Sequence, residues 1–441
     1  MILSGSGTVI DNIEIIGGQY GANIGNQQYT TRNLTISDSE VCISQIWNWG
    51  WTYQGLHLRN CGTAISMVNG GPGSQTVGSV IVTDSQIKDC RVFVDTVWEE
   101  SKWSNGSLII ENVSLENVAT AVQASNNTVL EGGSRTIQAW GQGHTYNPSG
   151  PKSVQGALQF PPRPKSLLAD DSQRYFTKPK PQYEGLAVSS FTSVRKAGAK
   201  GDGSTDDTQA LQTALTSAAE NHQVVFFDQG VYRITQTLFF PPGSRIVGEA
   251  LPVIMASGQT WSDLTKPVPV IQIGKEGDTG LFEWSDMLVS TQGSTPGATL
   301  IQWNLAAEKG SGMWEVHTRI GGFAGSRQQA ADCPTNAPMD IKCQAAYMSM
   351  HITKSARNVY LENVWLWTAD HDLDDEGRDT RISVYTGRGL LVEGQNVWLY
   401  VYVFSPSSIY ACIYTDRTDT GRLLSTTRCI SSNSPTPSQF L

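Results

Sequence analysis

The sequence predicts an all-β protein of two tandem right-handed parallel β-helices, with the first one incomplete and a short capping helix opening the second. Three observations support this prediction. Strand-like segments recur along the first part of the chain, one amphipathic helical pattern precedes a second series of strands, and 43 of the 441 residues are glycine. Charged residues make up only 16% of the chain, a composition that favours short strands joined by tight turns.

The repeat consists of five segments in which a small or polar residue is followed by alternating apolar positions. The first apolar residues of the segments are 21, 22, 24 and 28 positions apart: Ile13, Leu34, Leu56, Val80 and Leu108. Alternation identifies strands, and a period in this range indicates a solenoid. No helical pattern lies between the segments, which favours a β-helix over a leucine-rich repeat. A β-sandwich would repeat its strands every ~8 to 12 residues.

The chain divides into four predicted regions. Residues 1–146 are predicted to form a partial first β-helix. Residues 147–190 are predicted to be a linker or wrapping arm, because the prolines concentrated there interrupt ladder hydrogen bonds. Residues 191–400 are predicted to form a second, partial β-helix. Residues 401–441 lose the alternation, become rich in Ser and Thr, and are predicted to be a disordered tail.

The second β-helix is predicted to open with a helix in the segment GAKGDGSTDDTQALQTAL, where Leu211 and Leu215 recur at helical spacing. Such a helix would cover the open end of the solenoid. Asp206 and Asp207 suit the N-terminus of this helix, where backbone N–H groups are unpaired. Together with Asp202 they could instead bind Ca²⁺, and this alternative stays open.

Composition and charge limit the partners. The net charge of −9 leaves no basic stripe, which disfavours a nucleic acid or an anionic membrane as partner. No apolar run is long enough to span a bilayer. No set of His, Cys or Asp has zinc spacing, so neither a metal nor a cofactor is expected. We expect a monomer.

Several features are typical of exported proteins, although the first residues, MILSGSGTVIDNIEI, carry no secretory signal. Four glycosylation sequons begin at Asn33, Asn105, Asn112 and Asn126. The seven cysteines leave at least one unpaired. Cys333 and Cys343 bracket a Pro-containing loop and could form a disulfide. Cys61 and Cys90 end similar strands and could be buried, stacked thiols.

A series of Trp-rich segments, in their order along the chain, resembles glycoside hydrolase family 55, which comprises fungal exo-β-1,3-glucanases of the pectate-lyase-like superfamily. The segments are IGNQQYTTRNLTI, ISQIWNWGWTYQGL, QTVGSVIVTDS, GLFEWSDMLVSTQG, HTRIGG and LWTADHDLDD. The resemblance implies an extracellular enzyme. It would hydrolyse β-1,3-glucan, or a related polysaccharide, from a chain end with inversion, releasing glucose in a cleft between two β-helices.

The resemblance also implies site residues in the first β-helix. Gln28 and Thr52, 24 positions and so about one turn apart, are similar to the amide and hydroxyl that position the attacking water. Gln28 could instead be a polar ladder residue inside the coil. Trp47, Trp49 and Trp51 alternate on one strand, so all three are expected on one face. That face would be a sugar-stacking platform if it is exposed and core if it points inward.

Further site residues are implied in the second β-helix. Asp370, Asp372 and Asp374 resemble the family's acidic loop at the glucose-binding end, with a solvated turn or a cation site as the alternative. Glu283 and Arg319 resemble positions near the cleft, with a buried structural ion pair as the alternative.

The chain departs from the family after Tyr400. Relatives have a glycine where Val401 stands, and the family's water-holding glutamate and general acid follow it. Here no glutamate follows, so the general acid is not present. We expect an impaired catalyst, because acid catalysis contributes ~10² to 10⁴-fold. The first β-helix begins mid-ladder, so the N-terminus is expected to be truncated.

Two other functions are compatible with the sequence. One is a non-catalytic glucan-binding or wall protein that keeps the aromatic platform. The other is a pectin-active lyase or galacturonase on the same scaffold.

Overall fold

The structure is a computed structural model that describes residues 8–71, 74–100, 106–169, 172–335, 338, 340–375, 378–404, 411–413 and 428–430. The chain separates into two compact units, Met1–Pro179 and Lys180–Leu441, called here the first and the second unit. Strands dominate both units. Within the described ranges, no helix combines the length and the apolar character needed to cross a lipid bilayer.

The first unit contains the following strands: β1 (Thr8–Ile16), β2 (Tyr20–Ser37), β3 (Val41–Gln54), β4 (His57–Arg59), β5 (Thr63–Ser66), β6 (Ser79–Thr83), β7 (Gln86–Lys88), β8 (Val92–Thr96), β9 (Ser107–Ala124), β10 (Asn127–Asn147) and β11 (Gly150–Ala157). Strands β1 to β9 pair in parallel. The chain returns beside itself after 21 residues at Ile13↔Leu34 and after 28 at Val80↔Leu108. The parallel, wound arrangement is as predicted.

The five repeated segments do not form one stack, which corrects the expectation of a single ladder. Leu34 follows Ile13 in the stack that β4 and β7 continue. Val80 instead lies beside Trp51 and Leu108, in the stack of β3, β6 and β9. The spacing alone could not separate these stacks, because each turn of the chain contains more than one strand.

The end of the first unit is antiparallel, unlike the predicted helix. Strand β10 pairs antiparallel with β9 and with β11. Strand β11 lies within the stretch predicted as a linker, and it accommodates Pro151 beside Tyr146, near the hairpin turn. A proline is tolerated there because β11 is an edge strand.

The arm after β11 lies on the first unit. The Arg163 guanidinium contacts the carboxylates of Asp84 at 2.6 Å and of Glu111 at 2.8 Å. Arg163 also covers the ring of Tyr175 at 4.3 Å, and the Tyr175 N–H donates to Asp84 at 3.0 Å. The arm is therefore held by charged hydrogen bonds and one ring contact.

The second unit contains the following elements: β12 (Phe191–Ser193), β13 (Asp202–Asp206), α1 (Thr208–Glu220), β14 (Val224–Phe227), β15 (Val231–Ile234), β16 (Leu238–Phe240), β17 (Arg245–Gly248), β18 (Val253–Ala256), β19 (Val268–Ile273), β20 (Thr279–Gly280), β21 (Glu283–Thr291), β22 (Ala298–Trp303), β23 (Ala306–Ala307), β24 (Gly312–Ile320), β25 (Gln344–Ala346), β26 (Met348–Ile352), β27 (Arg357–Thr368), β28 (Tyr385–Thr386), β29 (Leu390–Val392), β30 (Gln395–Phe404), β31 (Ala411–Ile413) and β32 (Arg428–Ile430). Strands β12 to β30 pair in parallel. Their inward residues form one continuous apolar core.

Helix α1 is the predicted cap. Its Leu211 and Leu215 are buried in the core that the strands of the second unit form. Asp206 accepts a hydrogen bond from the N–H of Thr208 at 3.1 Å. Asp202 and Asp207 accept backbone N–H bonds from the preceding turn instead. These contacts favour the capping interpretation over a Ca²⁺ site.

Strand β30 continues to Phe404, past the predicted end at Tyr400. Beyond it the described residues form only the short antiparallel pair β31 and β32. The remainder of the predicted disordered tail lies outside the described residues.

Corners between strands are made by residues in the left-handed backbone conformation, which Asn, Asp and Gly adopt most readily. We call each stack of such residues on successive turns a corner column. The first corner column consists of Asn12, Asn33, Gly55, Asp84 and Asn112. The second consists of Asp38, Asn60, Asp89 and Asn117, and the third, in the second unit, of Asp286, Glu315 and Asn363.

The cysteines correct one expectation. Cys333 and Cys343 form a disulfide, as the sequence allowed. Cys61 is not a stacked thiol but is bonded to Cys42. Cys90, one turn farther along, is a buried free thiol.

Candidate functional site

The predicted water-positioning pair lies on the neighbouring strands β2 and β3, but not side by side. Thr52 pairs with Thr30, whereas Gln28 pairs with Gly50. One turn is 22 residues here rather than 24, so the Cα atoms of Gln28 and Thr52 are roughly 8 Å apart by strand geometry. Thr52 is half-buried, and the side chain of Gln28 lies outside the described residues. The water-positioning role of both residues stays a prediction.

The expectation that three indoles share one face is wrong. Trp51 is 2% exposed, is stacked on Tyr29 at 4.6 Å and donates a hydrogen bond to Thr31 at 2.9 Å. Trp49 is 59% exposed, and Trp47 is half-buried.

The alternation fails because Asn48, like Trp51, points inward. Asn48 is 2% exposed, and its amide oxygen accepts the N–H groups of Gly78 and Ser79 at 3.0 Å each. Two inward residues three positions apart break the period of two, which leaves Trp49 outside. Trp51 therefore belongs to the core, and the substrate-binding role stays a prediction for Trp47 and Trp49.

In the second unit, Glu283 is in a structural contact. Its carboxylate is 7% exposed, accepts a hydrogen bond from the Tyr183 hydroxyl at 3.0 Å and lies 3.7 Å from the Arg245 guanidinium. This geometry favours the buried ion pair over a role in contacting substrate. Burial raises the pKa of Tyr183 above its ordinary value, with the Glu283 carboxylate adding to the effect. The phenol therefore stays protonated as a donor.

The third corner column carries the strongest perturbation of acidity in the second unit. Glu315 follows Asp286 one turn along, and Asn363 donates its amide to Glu315 at 2.5 Å. Burial raises the pKa of Glu315 to about 7, with the charge of Asp286 acting in the same direction. Lys180 pairs with Asp286 at 2.8 Å, so two stacked carboxyls differ in ionisation near neutral pH.

His317 lies beside this carboxyl and is neutral. Burial lowers its pKa to about 4, and its Nδ1 accepts the N–H of Trp365 at 3.1 Å. The distance from its Nε2 to Glu315 is 3.7 Å. The sequence analysis missed Glu315, although its 29-residue offset from Asp286 matches the distance between paired strands there. Without the register, this spacing carries no signal.

The acidic loop is partly structural. Asp372 is 3% exposed and accepts the N–H groups of Ala330 at 2.9 Å and Asp374 at 3.1 Å. Burial alone would raise its pKa, but these hydrogen bonds outweigh burial and lower it. Asp374 accepts the N–H of Ala324 at 2.6 Å. Asp372 therefore fastens two loops together, and a role in contacting substrate is left to the more exposed groups.

Asp370 and Arg319 are the other predicted residues of this region. Asp370 contacts His371 at 2.7 Å and Arg381 at 2.5 Å. Arg319 covers the ring of Phe323 at 5.0 Å, and burial lowers its pKa. Its Nε has no partner within the described part of the chain, and its charge is not paired with Glu283. The substrate-binding roles of Asp370, Asp374 and Arg319 stay predictions.

The end of β30 changes the third corner column. Glu362 pairs with Tyr400 and Val364 pairs with Val401, so Asn363 has no counterpart in the next strand. The corner that shapes three preceding turns is lost at the residue where the sequence departs from the family.

No group of three or more His, Cys, Asp or Glu in the described ranges is arranged to hold a metal ion. The carboxylates described above are directed at backbone N–H groups, at cations of the protein or at neutral donors. This chemistry suits polar recognition and proton transfer.

Comparisons with known proteins identify relatives. A family model described as rhamnogalacturonase A/epimerase, pectate lyase-like, matches residues 1–66 and 191–313. A solved structure of sacteLam55A from Streptomyces sp. SirexAA-E aligns over 88% of this chain and 68% of its own, with 13% identity and a TM-score of 0.33. That alignment is too loose to support a statement about this chain.

Two curated fungal proteins are much more similar in sequence. Glucan 1,3-beta-glucosidase of Cochliobolus carbonum is 54% identical over 90% of this chain and 51% of its own length. Probable glucan endo-1,3-beta-glucosidase of Arthroderma benhamiae is 36% identical over 92% of this chain and 58% of its own. The chain thus spans about half the length of these relatives. The resemblance to glycoside hydrolase family 55 is confirmed, and the chain belongs with these glucosidases to the pectate-lyase-like superfamily.

Proposed function

We propose that the chain derives from an exo-acting, inverting β-1,3-glucanase that releases glucose, and that it keeps a glucan-binding surface but is impaired in catalysis. The observation that carries the proposal is the 54% identity, across 90% of the chain, to a glucan 1,3-beta-glucosidase. We further propose that the two units are tandem right-handed β-helices and that the protein acts outside the cell. The parallel pairing in both units supports the first of these.

The impairment follows from what inversion requires. A protonated carboxylic acid must face the leaving oxygen while a second group activates water on the opposite side, with the two roughly 6.5 to 9.5 Å apart. The chain has no glutamate after Glu393, and β30 lacks the corner beyond Tyr400. Thr52, with Gln28, would still position a water, but no acid would protonate the leaving group.

Incubation with laminarin tests this proposal. We expect glucose release at least about 100-fold slower than that of the Cochliobolus carbonum relative, because the contribution of the general acid is lost. Any product should first appear as the α-anomer by NMR. Release at a rate close to that of the relative would overturn the impairment, and a β-anomer would overturn inversion.

A binding assay separates the retained surface from the lost chemistry. Trp49→Ala should weaken adsorption to curdlan by roughly tenfold, because an exposed indole packs on the C–H face of a pyranose. Tyr146→Ala is the matched control, since Tyr146 is also an exposed aromatic residue of the first unit, at 77%. Equal losses for the two variants would contradict the proposed surface.

A non-catalytic glucan-binding protein is the second candidate. The lost corner at Val401 favours it over a slow enzyme. Adsorption to curdlan without any glucose release would select it. Cleavage of polygalacturonate instead of laminarin would refute both candidates.

A further inference from the structure

A pocket of about 540 Å³ lies beside the disulfide of the second unit, away from the residues assigned to the proposed site. We call it the disulfide pocket. Its walls come from the loop that Cys333 and Cys343 close and from the segment leading into β28. The side chains used below are Asp332, Asp340, Ile341, Ser383 and Tyr385.

The floor of the pocket is fixed by the fold. Ile382 and Val384 are buried at 5% and 0% exposure, so the alternating residues Ser383 and Tyr385 point to the opposite side. The N–H of Ser383 donates to the carbonyl of Cys333 at 2.9 Å. Tyr385 pairs with Gln344, the residue after the second cysteine. Both floor residues are therefore attached to the disulfide loop.

Polar groups around the pocket have unused hydrogen-bonding capacity. One carboxylate oxygen of Asp332 accepts the N–H of Gln329 at 3.1 Å. One oxygen of Asp340 accepts the N–H of Lys342 at 2.9 Å, and its other oxygen is 4.0 Å from the Lys342 ammonium. An ionised carboxylate can accept about four hydrogen bonds, so both aspartates can accept more from a ligand.

The apolar part of the lining is also incomplete. Ile341 is 59% exposed, and it lies across the pocket lining from the half-buried ring of Tyr385. Pro334 and Pro338 add further aliphatic surface. A flat aromatic ring and aliphatic walls suit the C–H faces of a pyranose, while carboxylates accept from its hydroxyls.

The charges of the lining select among sugars. Asp332 and Asp340 are the charged residues of the lining, and no basic side chain belongs to it. Like charges repel, so a uronic acid or a phosphorylated sugar is disfavoured. The chemistry fits a neutral pyranoside.

We propose that the disulfide pocket is a second carbohydrate-binding site that takes neutral glucosyl units of a β-1,3-linked oligosaccharide. The choice of glucose over other neutral sugars rests on the proposed function. The site itself rests on the pocket, its aromatic floor and its carboxylates. It would hold a glucan segment apart from the surface of Thr52 and Trp49.

Hydroxyl-radical footprinting of the full chain with laminaritriose tests the proposal, because it reads each aromatic residue separately. Oxidation of Tyr385 should fall about threefold when sugar fills the pocket. Tyr347, which lies in the same unit under the Arg388 guanidinium at 5.2 Å, is the internal control and should not change. Trp49 reports the surface of the proposed function independently.

The outcomes separate the two ideas. Protection of Trp49 without Tyr385 overturns the second site and leaves the proposed function standing. Protection of Tyr385 without Trp49 supports the second site and counts against the proposed glucan surface. Protection of Tyr385 by digalacturonate as strong as by laminaritriose overturns the assignment to neutral sugars.

Variants complete the test. Tyr385→Ala should weaken the laminaritriose midpoint, followed at Ile341, by roughly tenfold, whereas Tyr347→Ala should leave it unchanged. If Tyr385→Ala does not fold, Asp340→Asn on the exposed rim should still weaken binding by about threefold through its weaker acceptor. An unchanged midpoint in Asp340→Asn and Tyr385→Ala would overturn the proposal.

Discussion

The two units use the same backbone device, a column of left-handed corners, with different side chains. In the first unit, an Asn amide on one turn donates to an Asp carboxylate on the neighbouring turn: Asn60 to Asp38 at 2.6 Å and Asn117 to Asp89 at 2.8 Å. In the second unit, Asp286 is followed by Glu315, so two carboxyls are adjacent. A column of alternating amides and carboxylates satisfies itself. A column with two acids needs an outside cation or a proton.

The second unit supplies both. Lys180 pairs with Asp286, and Glu315 keeps its proton because burial raises its pKa. The corner column of the second unit therefore titrates near neutral pH, while those of the first unit depend on fixed hydrogen bonds. Three substitutions test this difference, in order of decreasing expected effect.

Asp84→Ala should cause the largest loss. The Asp84 side chain is 1% exposed and receives Arg163, the Tyr175 N–H and the Asn112 amide. Removing one partner of a buried ion pair leaves an uncompensated charge, at roughly 3–5 kcal/mol. Urea unfolding of the whole chain measures the change.

The control for this prediction is Asp89→Ala. Asp89 has the same left-handed backbone and also receives an Asn amide, but it is exposed. Its loss should be clearly smaller. Equal losses for the two variants would show that burial and the arm contacts do not strengthen the corner.

Glu315→Gln should remove a pH dependence of stability. In the wild type the unfolded chain ionises Glu315 near its ordinary pKa of 4.5, whereas the folded chain keeps the proton until about 7. The unfolded state thus binds fewer protons between these values, and the free energy of unfolding falls as pH rises through this window. The variant should be more stable at pH 8 by about 3 kcal/mol and unchanged at pH 4.

The measurement is denaturation at a series of pH values from 4 to 8. Glu308→Gln is the control, since Glu308 is an exposed glutamate of the same unit. A wild-type stability that stays level between pH 4.5 and 7, relative to Glu315→Gln, would contradict the buried, protonated carboxyl.

Asn60→Ala compared with Asn60→Gly separates backbone strain from the side-chain bond. Both variants lose the amide donor to Asp38, but only alanine has a Cβ in the left-handed region, where φ is 51°. Alanine should be less stable than glycine by about 1 kcal/mol in thermal or urea unfolding. The opposite order would show that the corner does not require a left-handed residue.

Much of the fold was readable from the sequence. Alternation in NLTIS and SVIVT predicted strands, their recurrence predicted a wound parallel array, and the TDDTQALQTAL pattern predicted helix α1. These signals are local, since they depend on which side of a strand or helix is apolar. Trp51, by contrast, was predicted on the wrong face, because Asn48 points inward and breaks the alternation that the prediction assumed.

The sequence by itself determined the strand content, the capping helix and the relationship to glucan 1,3-beta-glucosidases, because these depend on neighbouring residues and on similarity along the chain. Only the tertiary structure decided which segments stack, that Cys61 bonds to Cys42, and that Glu315 lies beside Asp286. Turns of the chain differ in length from 21 to 49 residues between paired positions. Register, and with it every contact between turns, is therefore set by packing rather than by spacing.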